Sequence, residues 1–374
     1  MCDGAKHSDH HEHGYIRVPA VSRRSLLRVG GLGLGAALLA ACGRGHDSFQ
    51  ERLDNLGKSV PSTTTSSVEE TTTTMMPPTT TTEHVVAEPT TTVGGSSVVV
   101  MPSGFDEFVS TVRVTKEGSW WLVESNGVPA HGMMKGIKSW QQQVPVAQPY
   151  SGANAWRIPA VAVLADTPVS ARTALYRGAI ALAANGVPIF NALNNRGDDA
   201  YVAGELDEWG GHCGRADDYH YHVAPLHLSG KVGREKPIAW ALDGFPVFGE
   251  TEPDGTKVSG LDSLNGHDHG ALGYHYHGTR TYPYINGGLR GIVRVEGDQI
   301  EPQPRTNPFR PAGEPLRGAT ITDFMSPATG SYILTYALDG KEGEVAYTVA
   351  VDSVKFRFTS PDGTVTNETY VRNG

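Results

Sequence analysis

Two stretches of the chain repeat one pattern of apolar and polar positions. Ile180-Ala181-Leu182-Ala183-Ala184 runs into Asn185-Gly186 and reopens as Val187-Pro188-Ile189-Phe190. Ile238-Ala239-Trp240-Ala241-Leu242 runs into Asp243-Gly244 and reopens as Phe245-Pro246-Val247-Phe248, 58 residues later. An Asn-Gly or Asp-Gly pair between two apolar runs predicts a tight β-hairpin. The small residues of the first copy suit a helix or a buried strand equally, and the second copy decides for a strand. Proline cannot donate to a ladder, so each return strand is expected at a sheet edge or a bulge. Elsewhere β-branched and aromatic content predicts strands at Val109–Val114, Trp120–Val123, Ala155–Pro159, Ala160–Leu164 and Gly291–Val295. Near the C-terminus, Ser331–Leu338, Val345–Val351 and Val354–Thr359 alternate apolar and polar residues, broken by Asp339-Gly340 and Pro361-Asp362-Gly363. The expected fold is mainly β: an internally duplicated, hairpin- and loop-rich core with a C-terminal β-meander and little helix outside the N-terminal segment.

The first hundred residues follow other rules. Ser22-Arg23-Arg24-Ser25-Leu26-Leu27-Arg28 reads as a twin-arginine export signal, and the apolar run Val29–Ala41 behind it is shorter than the roughly 20 residues a bilayer span needs. It ends in Leu39-Ala40-Ala41-Cys42, a bacterial lipoprotein box, so residues 1–41 are expected to be removed and Cys42 lipidated. The early His7, His10, His11 and His13 would leave with the signal. Residues 42–104 are dominated by Thr, Ser and Pro, which cannot bury enough apolar surface to offset chain entropy, and read as a disordered tether. The folded part then divides into residues 105–300, holding the repeats at about 178–222 and 236–277, and a Pro-rich connector with the meander at 301–374. The expected location is extracytoplasmic, anchored to the bacterial membrane through the lipid on Cys42.

Composition adds an exclusion. A net charge of −9 with no basic stripe argues against a nucleic-acid partner. Three cysteines, Cys2, Cys42 and Cys213, cannot build a disulfide framework.

The chemistry concentrates where the duplication is strictest. Tyr219-His220-Tyr221-His222 and Tyr274-His275-Tyr276-His277 are each approached by the same spacing, Leu206-Asp207 and Gly211-His212 before the first, Leu261-Asp262 and Gly266-His267 before the second. All equivalent positions in this part lie 55 residues apart. In an extended strand alternate side chains share a face, so each YHYH would put two histidines on one side and two tyrosines on the other. Two imidazoles at i and i+2 make a metal platform, and the histidine of a Gly-His turn could fold back as a third ligand. His212, His220, His222, His267, His275 and His277 are the candidate ligands of a transition metal, zinc or copper, in one shared site or two. Asp207 and Asp262 are candidate auxiliary acceptors, with turn geometry and capping the competing reading for them and for Gly211 and Gly266. His227, His269 and Cys213 lack counterparts and rank lower. No phosphate-binding loop, H-E-x-x-H or G-x-S-x-G occurs, so whether the chain is an enzyme stays open.

These motifs, with Glu124-Ser125-Asn126-Gly127-Val128-Pro129-Ala130-His131 and Asn185-Gly186-Val187-Pro188, resemble the YHYH domain family of bacterial exported proteins over roughly Phe105 to Val295. The resemblance adds His131 as an auxiliary candidate and brings no activity with it. Two function classes follow. One is a surface lipoprotein whose duplicated histidines hold a metal, with metal-dependent chemistry as an extension. The other is a non-catalytic envelope module in which Trp209, Trp240, Tyr282 and Tyr284 stack on glycan or cell-wall ligands and the histidines serve the fold. A histidine-based pH sensor ranks third.

Overall fold

The computed structural model describes residues 102–372. The export signal, Cys42 and nearly all of the expected tether lie outside the described residues. Twenty strands follow in chain order. β1 (Arg113–Glu117), β2 (Trp120–Glu124) and β3 (Trp156–Pro159) form a three-stranded antiparallel sheet. β4 (Leu164–Ser170) pairs with the later β13 (Gly288–Gly291). β5 (Ala179–Ala183), β6 (Pro188–Phe190), β7 (Gly211–Cys213), β8 (Tyr219–Tyr221), β9 (Ala239–Ala241), β10 (Pro246–Phe248), β11 (Gly266–Asp268) and β12 (Tyr274–His277) build the central sheet. β14 (Arg294–Glu296) and β15 (Gln299–Glu301) make a small ribbon. β16 (Thr320–Ala328), β17 (Ser331–Leu338), β18 (Lys341–Val349), β19 (Ser353–Thr359) and β20 (Val365–Val371) complete the meander. Among the described residues the only α-helix is Ser229–Val232, so the fold is mainly β.

The central sheet runs β11-β12-β10-β9-β5-β6-β8-β7, an order that reads the same from either edge. Each half has an antiparallel hairpin (β5–β6, β9–β10), then a parallel step (β6–β8, β10–β12), then an antiparallel edge pair (β7–β8, β11–β12). The halves join at β5–β9, where Leu182 faces its own counterpart Trp240, with Ala181 against Ala241 and Ala183 against Ala239. Exchanging the halves leaves that register unchanged, the pairing rule of a two-fold interface. The residues there are fully buried alanines with one Leu–Trp contact, so small side chains let the halves close.

Both predicted hairpins form, and Gly186 and Gly244 take the positive φ (79° and 91°) that such turns require. The prolines do not put the return strands at an edge, although the β5–β6 pairing does carry a bulge between Ala179 and Ala181. β6 lies between β5 and β8, and β10 between β9 and β12. Pro188 and Pro246 are each the first residue of their strand, where a missing N–H does not interrupt the ladder. The first predicted strand is displaced: residues 109–111 follow a short 3-10 turn, Phe105–Phe108, and Val109 is exposed. Residues 160–163 are likewise outside any strand. The meander gains β16 and β20, and its Leu334, Val345, Val354 and Phe356 belong to the same continuous core as the central sheet. A bidentate ion pair, Arg310 Nε and Nη2 to Asp217 at 2.7 and 2.9 Å, ties the connector to the β7–β8 loop.

Candidate metal centres

The two edge pairs of the central sheet carry the histidines. His212 sits directly across from His220 on β7–β8, and His267 across from His275 on β11–β12. His212 and His267 therefore lie on strands rather than in a turn, and meet the YHYH imidazoles by cross-strand register. His222 and His277, two residues on, complete each triad on the same face. The triads occupy opposite ends of the sheet, with four strands between the pair β7–β8 and the pair β11–β12, so they form two separate groups.

In the first centre the three Nε2 atoms are mutually 3.1 Å (His212–His220), 3.2 Å (His220–His222) and 3.0 Å (His222–His212) apart. Two of the Nδ1 atoms face away to backbone carbonyls, His220 to Asp218 O at 3.0 Å and His222 to Asn191 O at 2.5 Å, and His212 interacts with the backbone of Glu205. A carbonyl oxygen only accepts, so the Nδ1 atoms of His220 and His222 carry the proton and their Nε2 atoms present lone pairs. The contact between those two Nε2 atoms is therefore not a hydrogen bond but two lone pairs converging in a buried space. The second centre repeats the device, with Nδ1 of His275, His277 and His267 donating to Gly273 O at 2.9 Å, Gly249 O at 2.7 Å and Ser259 O at 2.9 Å.

A cation resolves that arrangement. Zinc–nitrogen bonds of 2.0–2.1 Å at tetrahedral angles put ligand nitrogens about 3.3 Å apart, close to what the triad presents. Protons are poor substitutes: burial, reinforced by the neighbouring imidazoles, holds His212 and His220 well below the ordinary imidazole value, and burial lowers His222 as well. Copper is served equally well by imidazole nitrogen. The carbonyl acceptors fix tautomer and ring orientation, as at established imidazole metal sites.

The second group holds a further candidate ligand that sequence reasoning missed. The Glu252 carboxylate, 1% exposed, lies 3.1 Å from His267 Nε2 and 3.3 Å from His269 Nδ1 through Oε1, and 3.2 and 3.4 Å from Nε2 of His275 and His277 through Oε2. Glu252 Oε1 and the Nε2 atoms of His267 and His277 are buried with no hydrogen-bond partner. One ligand atom from each of Glu252, His267, His275 and His277 falls within 4.8 Å of the others. Orphaned lone pairs of this kind are rare in folded proteins and fit a shared ion.

The equivalent residue in the first half is Asn194, 58 positions earlier, in a loop closed the same way: Asn194 N donates to Asp198 O at 2.8 Å, and Glu252 N to Thr256 O at 3.0 Å. Asn194 turns its amide to Glu205 Oε1 at 3.2 Å instead of to the triad. The first centre thus has three protein ligands, and its histidines line a cavity of about 610 Å³. The signal for Glu252 was present in the 58-residue register, but a single acid after a hairpin is indistinguishable from a solvated loop residue.

The auxiliary candidates face the other way. Asp207 accepts from Trp209 N, Gly211 N, Met134 N and the Tyr219 hydroxyl, the last at 2.7 Å. Asp262 repeats this with Leu264 N, Gly266 N and Tyr274 hydroxyl at 2.9 Å. Both buttress the tyrosine face and neither accepts from a ligand imidazole. His131 is on that face too, 2.6 Å from the Tyr221 hydroxyl and stacked on Trp209 at 4.5 Å. Gly211 and Gly266 are strand residues, not turn residues: a Cβ there would come within 2.5 and 2.2 Å of the Tyr219 and Tyr274 hydroxyls. Cys213 is buried beside Met134, and burial pushes its thiol well up. Trp240 and Tyr284 are buried, at 2% and 7% exposure, and cannot stack on a ligand from solvent.

Residues 155–257 match the sequence model of a family described as YHYH protein. The matched span includes the first triad and Glu252 and ends before His267. No curated protein and no solved structure matches the chain.

Proposed function

We propose that this YHYH-domain protein binds two transition-metal ions, one at each edge of the central sheet, with unequal roles. The observation that carries the reading is the tautomer pattern: five of the six imidazoles turn Nδ1 to a backbone carbonyl, and the Nε2 atoms of all six converge in two groups. A fold that needed these histidines only for hydrogen bonds would not aim three acceptors at one another.

His267, His275, His277 and Glu252 supply four ligand atoms and make a closed centre, suited to holding the fold together. His212, His220 and His222 supply three and face the cavity, which suits an ion that also takes water or a ligand. An ion bound there supplies Lewis acidity and lowers the pKa of bound water. The chain's own contribution is orientation: backbone carbonyls lock the rings, and Phe190 stacks on His220 at 3.9 Å to fix its plane. The twin-arginine signal and Cys42 support a lipid-anchored protein outside the cytoplasm, exported already folded and loaded. Elemental analysis of protein purified with metals supplied tests the core of this reading. Two equivalents of zinc or copper per chain are expected, one in His220→Ala or His275→Ala, and no stoichiometric metal in the parent protein overturns it.

A further inference from the structure

We infer that the cavity at the first centre is a binding site for an oxyanion-bearing small molecule, one carrying a phosphate or carboxylate group. The inference deepens the metal reading of His212, His220 and His222, and it is carried by a different set of residues. Four arginines line the same cavity as the triad, Arg177, Arg196, Arg215 and Arg305, against two carboxylates, Glu205 and Asp218. That balance is unexpected in a chain of net charge −9. Arg196 is already paired with Glu205 and with Asp198, and Asn194 also donates to Glu205. Asp218 Oδ1 accepts from Ala216 N at 3.1 Å within its own loop. Among the described residues Arg177, Arg215 and Arg305 form no ion pair with a carboxylate. Arg177 Nη1 donates to Gly297 O at 3.3 Å, but none of the three exposed guanidiniums has a carboxylate partner among the described residues. Three such groups on the wall of one cavity favour an anion, whose oxygens the planar fork of Arg matches.

The backbones that carry them are held in place. Arg215 lies in the loop joining β7 to β8, closed by Gly214 N to Asp218 O at 2.9 Å, so it springs from the hairpin whose strands present His212 and His220. Arg305 is clamped by Asn154, which accepts from its N–H and donates to its carbonyl, both at 2.9 Å. Arg177 N donates to Asp298 O at 3.3 Å. Three chain segments distant in sequence thus meet around one cavity, whose volume suits a small-molecule site, typically ~300–1,000 Å³.

The duplication supplies an internal control. The histidines are copied in both halves, whereas the position equivalent to Arg215 is Gly270 and that equivalent to Arg196 is Asp254. The equivalent loop closes alike, His269 N to Gly273 O at 3.3 Å, so the fold does not require the arginine. At these two positions the arginine belongs to the first half alone.

Calorimetric titration of the full chain with inorganic phosphate, and separately with acetate, tests this in the metal-loaded and chelator-stripped forms. Saturable binding of at least one anion is expected, and the arm that binds more tightly identifies the group. The double variant Arg215→Gln, Arg305→Gln should lose roughly tenfold or more in affinity, the worth of a lost charge-assisted hydrogen bond, with metal content unchanged. Arg357→Gln on β19, an exposed arginine outside the cavity lining, should bind as the parent does. Absence of saturable binding by either anion, or an unaltered Kd in the double variant, overturns the inference. Failure of the metal reading shows separately, as absent metal in the elemental analysis, and leaves the arginine dependence still to be scored.

Discussion

Glu252→Gln separates a metal ligand from a carboxylate that is buried for the sake of the fold. Burial alone would raise the Glu252 pKa, yet the imidazoles packed around it, His277 and His275 foremost, pull it below the ordinary value, so the group is ionised at pH 8. His275 and His277 are themselves held below the ordinary imidazole range, chiefly by burial, His277 at about 4. In metal-free protein at pH 8 the carboxylate, 1% exposed, has no cation opposite it. Leaving a buried charge without its partner costs about 3–5 kcal/mol. At roughly 2–4 °C per kcal/mol for a domain of this size, chelation should lower the parent Tm by roughly 6–20 °C. Glutamine is nearly isosteric and uncharged, so the variant should bind metal more weakly at this centre yet be more stable than the parent once both are stripped. The assay is paired differential scanning calorimetry at pH 8, with and without chelator, alongside metal content. If stripped Glu252→Gln melts below the stripped parent, or chelation leaves the parent unmoved, the reasoning fails.

Three further outcomes are expected. Gly211→Ala should destabilise more than Gly266→Ala, because its Cβ meets the immobile His220 carbonyl oxygen at 2.7 Å as well as the Tyr219 ring, whereas the three nearest atoms at Gly266 all belong to the Tyr274 side chain. Overpacking of this kind costs about 1–3 kcal/mol, and equal urea midpoints for the two variants would refute the steric account. Arg310→Leu should cost about 3–5 kcal/mol in a denaturant melt by stranding Asp217, its side chain 6% exposed, and a loss under 1 kcal/mol would contradict it. Burial depresses His131 to about 4 and His227 to about 3 from an ordinary 6.5, so the unfolded chain takes up protons first. Their contribution is intact above about pH 6.5 and lost as pH falls towards 4, at up to about 1.4 kcal/mol per unit per group. Asp207, raised by burial to about 6, works the other way and returns part of the loss below that pH. Urea midpoints of metal-free protein between pH 7 and 4 should therefore fall, and His131→Gln should flatten the curve; an unchanged slope in that variant would remove His131 as the cause.

Much of the site was legible because strand chemistry is local. The YHYH alternation put imidazoles and tyrosines on opposite faces, and the 55-residue register announced that the three-histidine arrangement of one half recurs in the other. The hairpins followed from Asn185-Gly186 and Asp243-Gly244. What misled was the reading of prolines and of Gly-His in isolation. Pro188 and Pro246 sit at strand starts inside the sheet, and Gly211 and Gly266 make room for tyrosine hydroxyls instead of bending the chain. Sequence spacing also made Asp207 and Asp262 look like partners of the histidines, when both turn to the tyrosine face.

The order of residues by itself determined that the protein is mainly β, that two stretches of it repeat one pattern, and which six imidazoles could share a face with a partner. It did so because alternation and turn chemistry act over a few residues. Only the tertiary structure decided that the histidines gather in two groups at opposite edges, that Glu252 joins one of them, and that a cavity lined by arginines opens on the other. Those depend on strand order and on loops that meet from distant segments, and no local period encodes which loop ends beside which ring.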